Sequence, residues 1–125
     1  MTTFKYLVFA LMAIGIASCG EKTATENSKI AAVEVVNGIS NSTFKVWGNC
    51  DMCKETIEAS LKVDGVNKAD WNVDSKIMSI EFDSAKISLD QIQKNIAAVG
   101  YDNDKYKGDD KAYSELADCC QYDRK

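Results

Sequence analysis

The feature that most restricts this chain is the way its apolar residues change period between Ser42 and Tyr101. Phe44 and Val46 alternate with Thr43, Lys45 and Trp47, the two-residue repeat of a strand with one buried face, and "WGN" breaks the pattern. From Asp51 the spacing becomes four. Cys53, Ile57 and Leu61 then fall on one helical face, which Asp64 and Gly65 terminate. Ala69, Trp71 and Val73 alternate again, Asp74 to Lys76 reads as a turn, and Met78, Ile80 and Phe82 alternate beyond it, predicting an antiparallel hairpin. Ser88 with Gln91 fits a capping box, and Leu89, Ile92, Ile96 and Val99 line a second helical face that Gly100 closes. A last strand is expected from Tyr101, in "YDNDKYKG", although it carries few apolar residues.

The predicted order is strand, helix, strand, strand, helix, strand. Two helices with one apolar stripe each, laid on the single apolar face of an antiparallel sheet, give an α+β sandwich of the ferredoxin-like βαββαβ kind. A chain of 125 residues, 46% hydrophobic and 27% charged, has material for one such domain with appendages. With 15 Lys and Arg against 19 Asp and Glu it is mildly acidic, so no nucleic-acid partner is expected.

The appendages read as follows. "MTTFKYLVFALMAIGIASC" has one cation, Lys5, an uncharged apolar stretch from Tyr6 to Ile16, and then small residues. The stretch falls short of the ~20 residues a membrane-spanning helix needs, which favours a signal peptide. "IASC" resembles the lipobox of bacterial lipoproteins, which implies removal of residues 1–18 and lipidation of Cys19. The alternative is an ordinary signal peptide with a coincidental cysteine. Residues 19–41 are polar and small, as in a tether, with a brief apolar patch at Ile30 to Val36 suited to an edge strand or a helical turn. Residues 42–107 form the domain, and 108–125 a C-terminal extension.

The chemistry concentrates in "GNCDMC". Cys50 ends the loop after the first strand and Cys53 enters the first helical turn, where unpaired amides and the helix dipole favour a thiolate, with Lys54 as an adjacent cation. A lowered thiol pKa serves metal ligation and redox exchange alike. Lys54 stands where haem attachment requires histidine, and the chain has no histidine at all, which removes mixed Cys/His zinc sites. It also has no proline, whereas thioredoxin-like dithiol enzymes set a cis-proline loop against their CxxC. Two soft sulfurs on a loop suit Cu(I), while zinc prefers four ligands. Hg(II) also accepts two thiolates.

The succession of strand, "GNCDMC", helix, hairpin, helix and "VGYD" resembles the heavy-metal-associated domain of copper chaperones, metal-ATPase N-terminal modules and periplasmic mercuric-ion carriers, over roughly residues 42–107. The resemblance implies Cys50 and Cys53 as metal ligands, with Tyr101 beside them. It implies a metal cargo, Cu(I) before Zn or Hg, and a metal transporter or efflux component as partner, with neither catalysis nor a small-molecule substrate. One departure is Gly48, which stands where the family has a core methionine; Trp47 or Met52 is expected to fill that space. Met52 is read mainly as packing or exposed loop, with a thioether ligand as the alternative.

The extension "KAYSELADCCQYDRK" is a second departure. Tyr113, Leu116 and Cys120 are spaced for a short helix or turn that folds back on the domain. A trans peptide holds the Cα atoms of Cys119 and Cys120 about 3.8 Å apart, below the usual disulfide range, so a bond between them is disfavoured. Both are candidates to complete a three- or four-sulfur site or to bridge several Cu(I) ions; a disulfide to Cys50 or Cys53 is the alternative. The acidic run from Asp102 to Asp110 is read as solvated surface. The expected function is soft-metal binding and transfer at the cell envelope, on the periplasmic side or the cell surface. An envelope thiol-disulfide redox protein and a mercuric-ion carrier are the alternatives.

Overall fold

Asn37 and Gly38 set the start of the sheet. Their φ angles of 53° and 82° put both in the left-handed region, as a two-residue type I′ hairpin demands. The turn joins Val33–Val36 (β1) to Ile39–Lys45 (β2), with Val36 paired to Ile39. The computed structural model describes residues 33–124; Cys19, the signal segment and most of the 19–41 stretch lie outside them. Asp51–Ala59 (α1), Val66–Trp71 (β3), Ile77–Asp83 (β4) and Leu89–Ala98 (α2) follow. Asp110–Ser114 (α3) and a 3-10 turn at Asp118–Cys120 complete the chain.

The sheet is antiparallel throughout, in the order β1-β2-β4-β3. Phe44 of β2 and Met78, Ile80 and Phe82 of β4 are buried with Ile57 and Leu61 of the α1 region and Ile92 and Ile96 of α2. This is the helix-on-sheet sandwich that the alternating periods require. Ser88 caps α2 by accepting the Gln91 amide at 3.2 Å. The Gln91 side chain turns instead to Asn95, so one half of the capping box forms. Asn72 accepts the amides of Asp74 and Ser75 at 3.0 and 2.8 Å and so shapes the β3-β4 turn.

Three expectations are corrected. The strand expected around Phe44 and Val46 begins earlier, at Ile39, and the apolar patch inside the stretch read as a tether takes the edge-strand alternative, as β1. No strand follows α2 among the described residues: Asn103 makes a single antiparallel bridge to Val46. The Trp47 amide donates to the Asp102 carbonyl at 2.9 Å and the Asp104 amide to that of Lys45 at 3.1 Å. The chain cannot run on as a strand because the Asn103 side chain is turned inward. Its amide donates to the Gln93 carbonyl at 2.8 Å, and its oxygen accepts the amides of Lys105 and Tyr106, curling the backbone. Finally, the acidic run is not solvated throughout, since Asp102 and Asn103 are wholly buried. No described helix is long and apolar enough to cross a membrane.

The space below the loop is filled by Trp71, which is fully buried and donates its ring N–H to the Val46 carbonyl at 3.2 Å. Neither expected residue takes that role: Trp47 is half-buried and Met52 is 53% exposed. A Cβ on Gly48 would stand 2.8 Å from the Trp71 ring, so the small residue and the large one are coupled. Gly48→Met is therefore expected to destabilise the fold by about 1–3 kcal/mol through overpacking. The loss should shrink when Trp71→Val is also present; additive losses in a urea-unfolding double-mutant cycle would show that the two sites are uncoupled.

Candidate metal centre

The site is assembled by the chain end folding back over the loop before α1. The Tyr122 hydroxyl donates to the Gly100 carbonyl at 2.8 Å and accepts the Asp102 amide at 2.7 Å. Its ring stacks on Tyr101 with centroids 5.7 Å apart and meets the Tyr113 ring edge-on at 5.2 Å. The Tyr113 hydroxyl donates to the Tyr122 carbonyl at 2.7 Å. Two residues on, Arg124 donates to the buried Asp102 carboxylate from Nη2 at 3.0 Å and to Asp110 from Nη1 at 2.7 Å. The Gly108 amide also donates to Asp102, at 2.7 Å.

This clasp sets the 3-10 turn of Asp118–Cys120 against the start of α1. The Cys50 sulfur lies 3.6 Å from that of Cys53 and 3.7 Å from that of Cys120. Cys119 and Cys120 sulfurs are 3.9 Å apart, and the Cys119 sulfur is 3.6 Å from the Met52 thioether. The sulfurs of Cys50, Cys119 and Cys120 all lie within 4.8 Å of one another. The four cysteines among the described residues are free thiols, so no disulfide links the loop to the tail. Cys53 is fully buried and Cys120 nearly so, Cys50 is half-buried, and Cys119 is exposed.

Cys50 occupies the N-cap position of α1 with extended backbone. The Cys53 backbone amide faces its sulfur and is the main reason its pKa falls to about 7; burial opposes this, and the thiols of Cys53, Cys120 and Cys119 assist it. The Asn49 amide donates to the Cys53 sulfur at 3.3 Å. Burial, reinforced by Cys53 and Cys50, pushes the Cys120 thiol up to about 12. Tyr101 is buried beside these sulfurs. Burial first, and then Cys53, raises its phenol well above the ordinary value, and its hydroxyl has no hydrogen-bond partner. Lys54 does not serve as the expected cation for the thiolates. Its ammonium is held by Glu58 at 2.6 Å, Asp70 at 2.5 Å and the Trp71 carbonyl at 2.8 Å.

The structure thus brings together Cys50, Cys53, Cys119, Cys120 and Tyr101, and adds Met52 at the rim. The clasp of Asp102, Tyr122 and Arg124 was not anticipated from the sequence; its one signal is an arginine following aromatic residues near the end of the chain. The cluster offers soft thiolate and thioether donors without a single imidazole, a set suited to soft monovalent metals.

Peptide-mapped alkylation of the reduced protein should give Cys50 a rate that rises through a midpoint near pH 7, because the reactive thiolate is the minor species below it and the major one above. Buried Cys120 should react far more slowly. Tyr122→Phe, which removes the hydroxyl shared by the Gly100 carbonyl and the Asp102 amide at a cost of about 1–3 kcal/mol, should speed Cys120 labelling more than that of Cys53. Unchanged Cys120 labelling would show that the clasp does not hold the turn in place.

Residues 43–102 match the heavy-metal-associated domain family. A copper chaperone CopZ of Staphylococcus aureus (strain JH9) is 34% identical over 66 residues, a match spanning 51% of this chain and 97% of the relative. A copper chaperone CopZ of Staphylococcus saprophyticus is 33% identical over the same shares. The solved structure of a CopZ metallochaperone superposes with a TM-score of 0.50 at 33% identity, covering 51% of this chain and 98% of that one. Both β1 and the tail that carries Cys119 and Cys120 lie beyond the family match. On this match, with its CxxC loop at the start of α1 and helices packed on an antiparallel sheet, the chain belongs to the heavy-metal-associated domain family.

Proposed function

We propose that this protein is a Cu(I) carrier or scavenger of the cell envelope, anchored by lipid at Cys19, that binds its ion through Cys50 and Cys53 and passes it by ligand exchange to a metal transporter or efflux component. The observation that carries this reading is the Cys50 and Cys53 pair: free sulfurs 3.6 Å apart at a helix start, one with its pKa lowered to about 7. Deprotonation near neutral pH is what metal binding asks of a thiol. The CopZ relatives, copper chaperones by name, support copper as the cargo. No catalytic role is assigned.

Two other readings use the same atoms. Hg(II) is a second soft cargo for paired thiolates. A thiol-disulfide exchange role is favoured by one feature, the nearness of a lowered-pKa sulfur to a second thiol.

Anaerobic competition against a chromophoric Cu(I) chelator separates them. Wild type should bind Cu(I) tightly and stoichiometrically, and Cys50→Ser should weaken binding by more than the about 10–100-fold that loss of an outer-shell partner costs. Absence of tight binding, combined with turnover of a disulfide substrate, would replace the carrier reading with the redox one. Cys19→Ala should move the protein from the membrane fraction to the soluble fraction. Unchanged membrane association would remove the lipid anchor.

A further inference from the structure

The sulfurs outnumber what one ion of low coordination can use. They form a continuous chain, Cys53 to Cys50 to Cys120 to Cys119 to Met52, with successive separations of 3.6, 3.7, 3.9 and 3.6 Å. With metal–sulfur bonds of about 2.3 Å, two sulfurs on a linear ion stand about 4.6 Å apart and three around a trigonal ion about 4.0 Å. The observed steps lie near the trigonal spacing and the about 3.8 Å edge of a tetrahedral site, so the Cys53 and Cys50 sulfurs must part by about 1 Å to hold an ion linearly between them. The set whose sulfurs are all mutually within 4.8 Å is Cys50, Cys119 and Cys120. Cys53 is outside that set and reaches the group by its 3.6 Å contact with Cys50. The four thiol sulfurs are therefore not all mutually within 4.8 Å, whereas those around a single tetrahedral zinc ion would each stand about 3.8 Å from the other three.

Cys50 belongs to both groupings, and a thiolate has lone pairs enough to bridge two metals. Met52 and Cys119 are exposed, yet their sulfurs face each other at 3.6 Å at the rim of the group. A thioether stays uncharged, so it adds a soft donor without adding to the negative charge of four adjacent thiolates.

Resting on the Cu(I) reading above, we infer that one chain holds two Cu(I) ions: one on Cys53 and Cys50, the other in the Cys50, Cys119 and Cys120 triangle, with Cys50 bridging and the Met52 thioether as an additional donor to the second ion. Binding exchanges thiol S–H bonds for S–Cu bonds and releases up to four protons to solvent. Copper enters and remains as Cu(I), so no oxidant or reductant takes part. The second ion also supplies positive charge beside Cys120, whose sulfur is almost out of reach of water.

The test uses the reduced full chain carrying Cys19→Ser, so that every thiol counted belongs to the loop or the tail. Cu(I) is titrated anaerobically against a chelator, ions per monomer are read by native mass spectrometry, and copper X-ray absorption reports any short Cu–Cu path. The parent protein should take two ions per monomer and show that path. Cys119→Ser combined with Met52→Leu, both at exposed positions, should take one ion per monomer and lose the path. Met52→Leu alone should weaken only the second ion. Saturation of the parent at one ion, or two ions still held by the double variant, overturns the inference while leaving the carrier reading intact. Binding of no ion at all overturns both.

Discussion

The arrangement at the site depends on one buried charge. Asp102 is wholly out of water, and its carboxylate is met there by Arg124, the Gly108 amide and the Tyr122 hydroxyl. Removing one member of such a pair costs about 3–5 kcal/mol, a large share of the about 5–15 kcal/mol by which a native protein is stable. Arg124 lies four residues beyond Cys120. The ion pair that satisfies Asp102 thereby fixes the 3-10 turn over α1. Tyr122 works in the same direction, with its hydroxyl on Gly100 and Asp102 and its ring between those of Tyr101 and Tyr113. What brings tail sulfurs to loop sulfurs is thus packing and charge around the end of α2, with no covalent bond between them.

The loop is prepared from the other side by apolar packing. Trp71 fills the space under Gly48 and ties itself to the Val46 carbonyl, which holds the loop at the height where Cys50 meets the first amides of α1. Cys53 projects inward from the same turn as part of the buried face it shares with Ile57. One sulfur is therefore packed and the other half-exposed, and their unequal surroundings separate their chemistry. The Cys53 amide draws the Cys50 thiol down to about 7 against the opposing effect of burial.

Much of this was legible because it is local. The helix from Asp51, the hairpin of Trp71 and Met78, and the Ser88 cap each carry their own period or turn signal within a few residues. The β1-β2 hairpin was legible too: "VVNGIS" sets Asn-Gly between apolar residues, a strong two-residue turn signal that a polar, tether-like context obscured. The segment after α2 could not be read in the same way. Its polar residues are buried against partners distant in sequence, Asp102 against Arg124 and Asn103 against Gln93, and no periodicity records such pairings. For the same reason the spacing of Cys119 and Cys120 established that they avoid bonding to each other, but not that they sit on Cys50, 70 residues away. Trp71 as filler beneath Gly48 is a further case, since the two are neighbours only once β3 is in the sheet.

The folded-back tail changes how ligand exchange would run in the proposed carrier. A bare pair of thiolates offers an incoming partner an open side, whereas here the side facing Cys50 already holds Cys119 and Cys120. The exposed sulfurs are those of Cys119 and Met52, and the buried ones those of Cys53 and Cys120. A partner thiol must therefore enter at the rim, displacing the thioether or Cys119 before it can compete for Cys50. Cys120 can leave only if the turn lifts, which strains the contacts of Tyr122 and Arg124. Retention and release are then governed by the same clasp: its strength sets how long the tail competes with an acceptor for the ion, and weakening it favours transfer over storage.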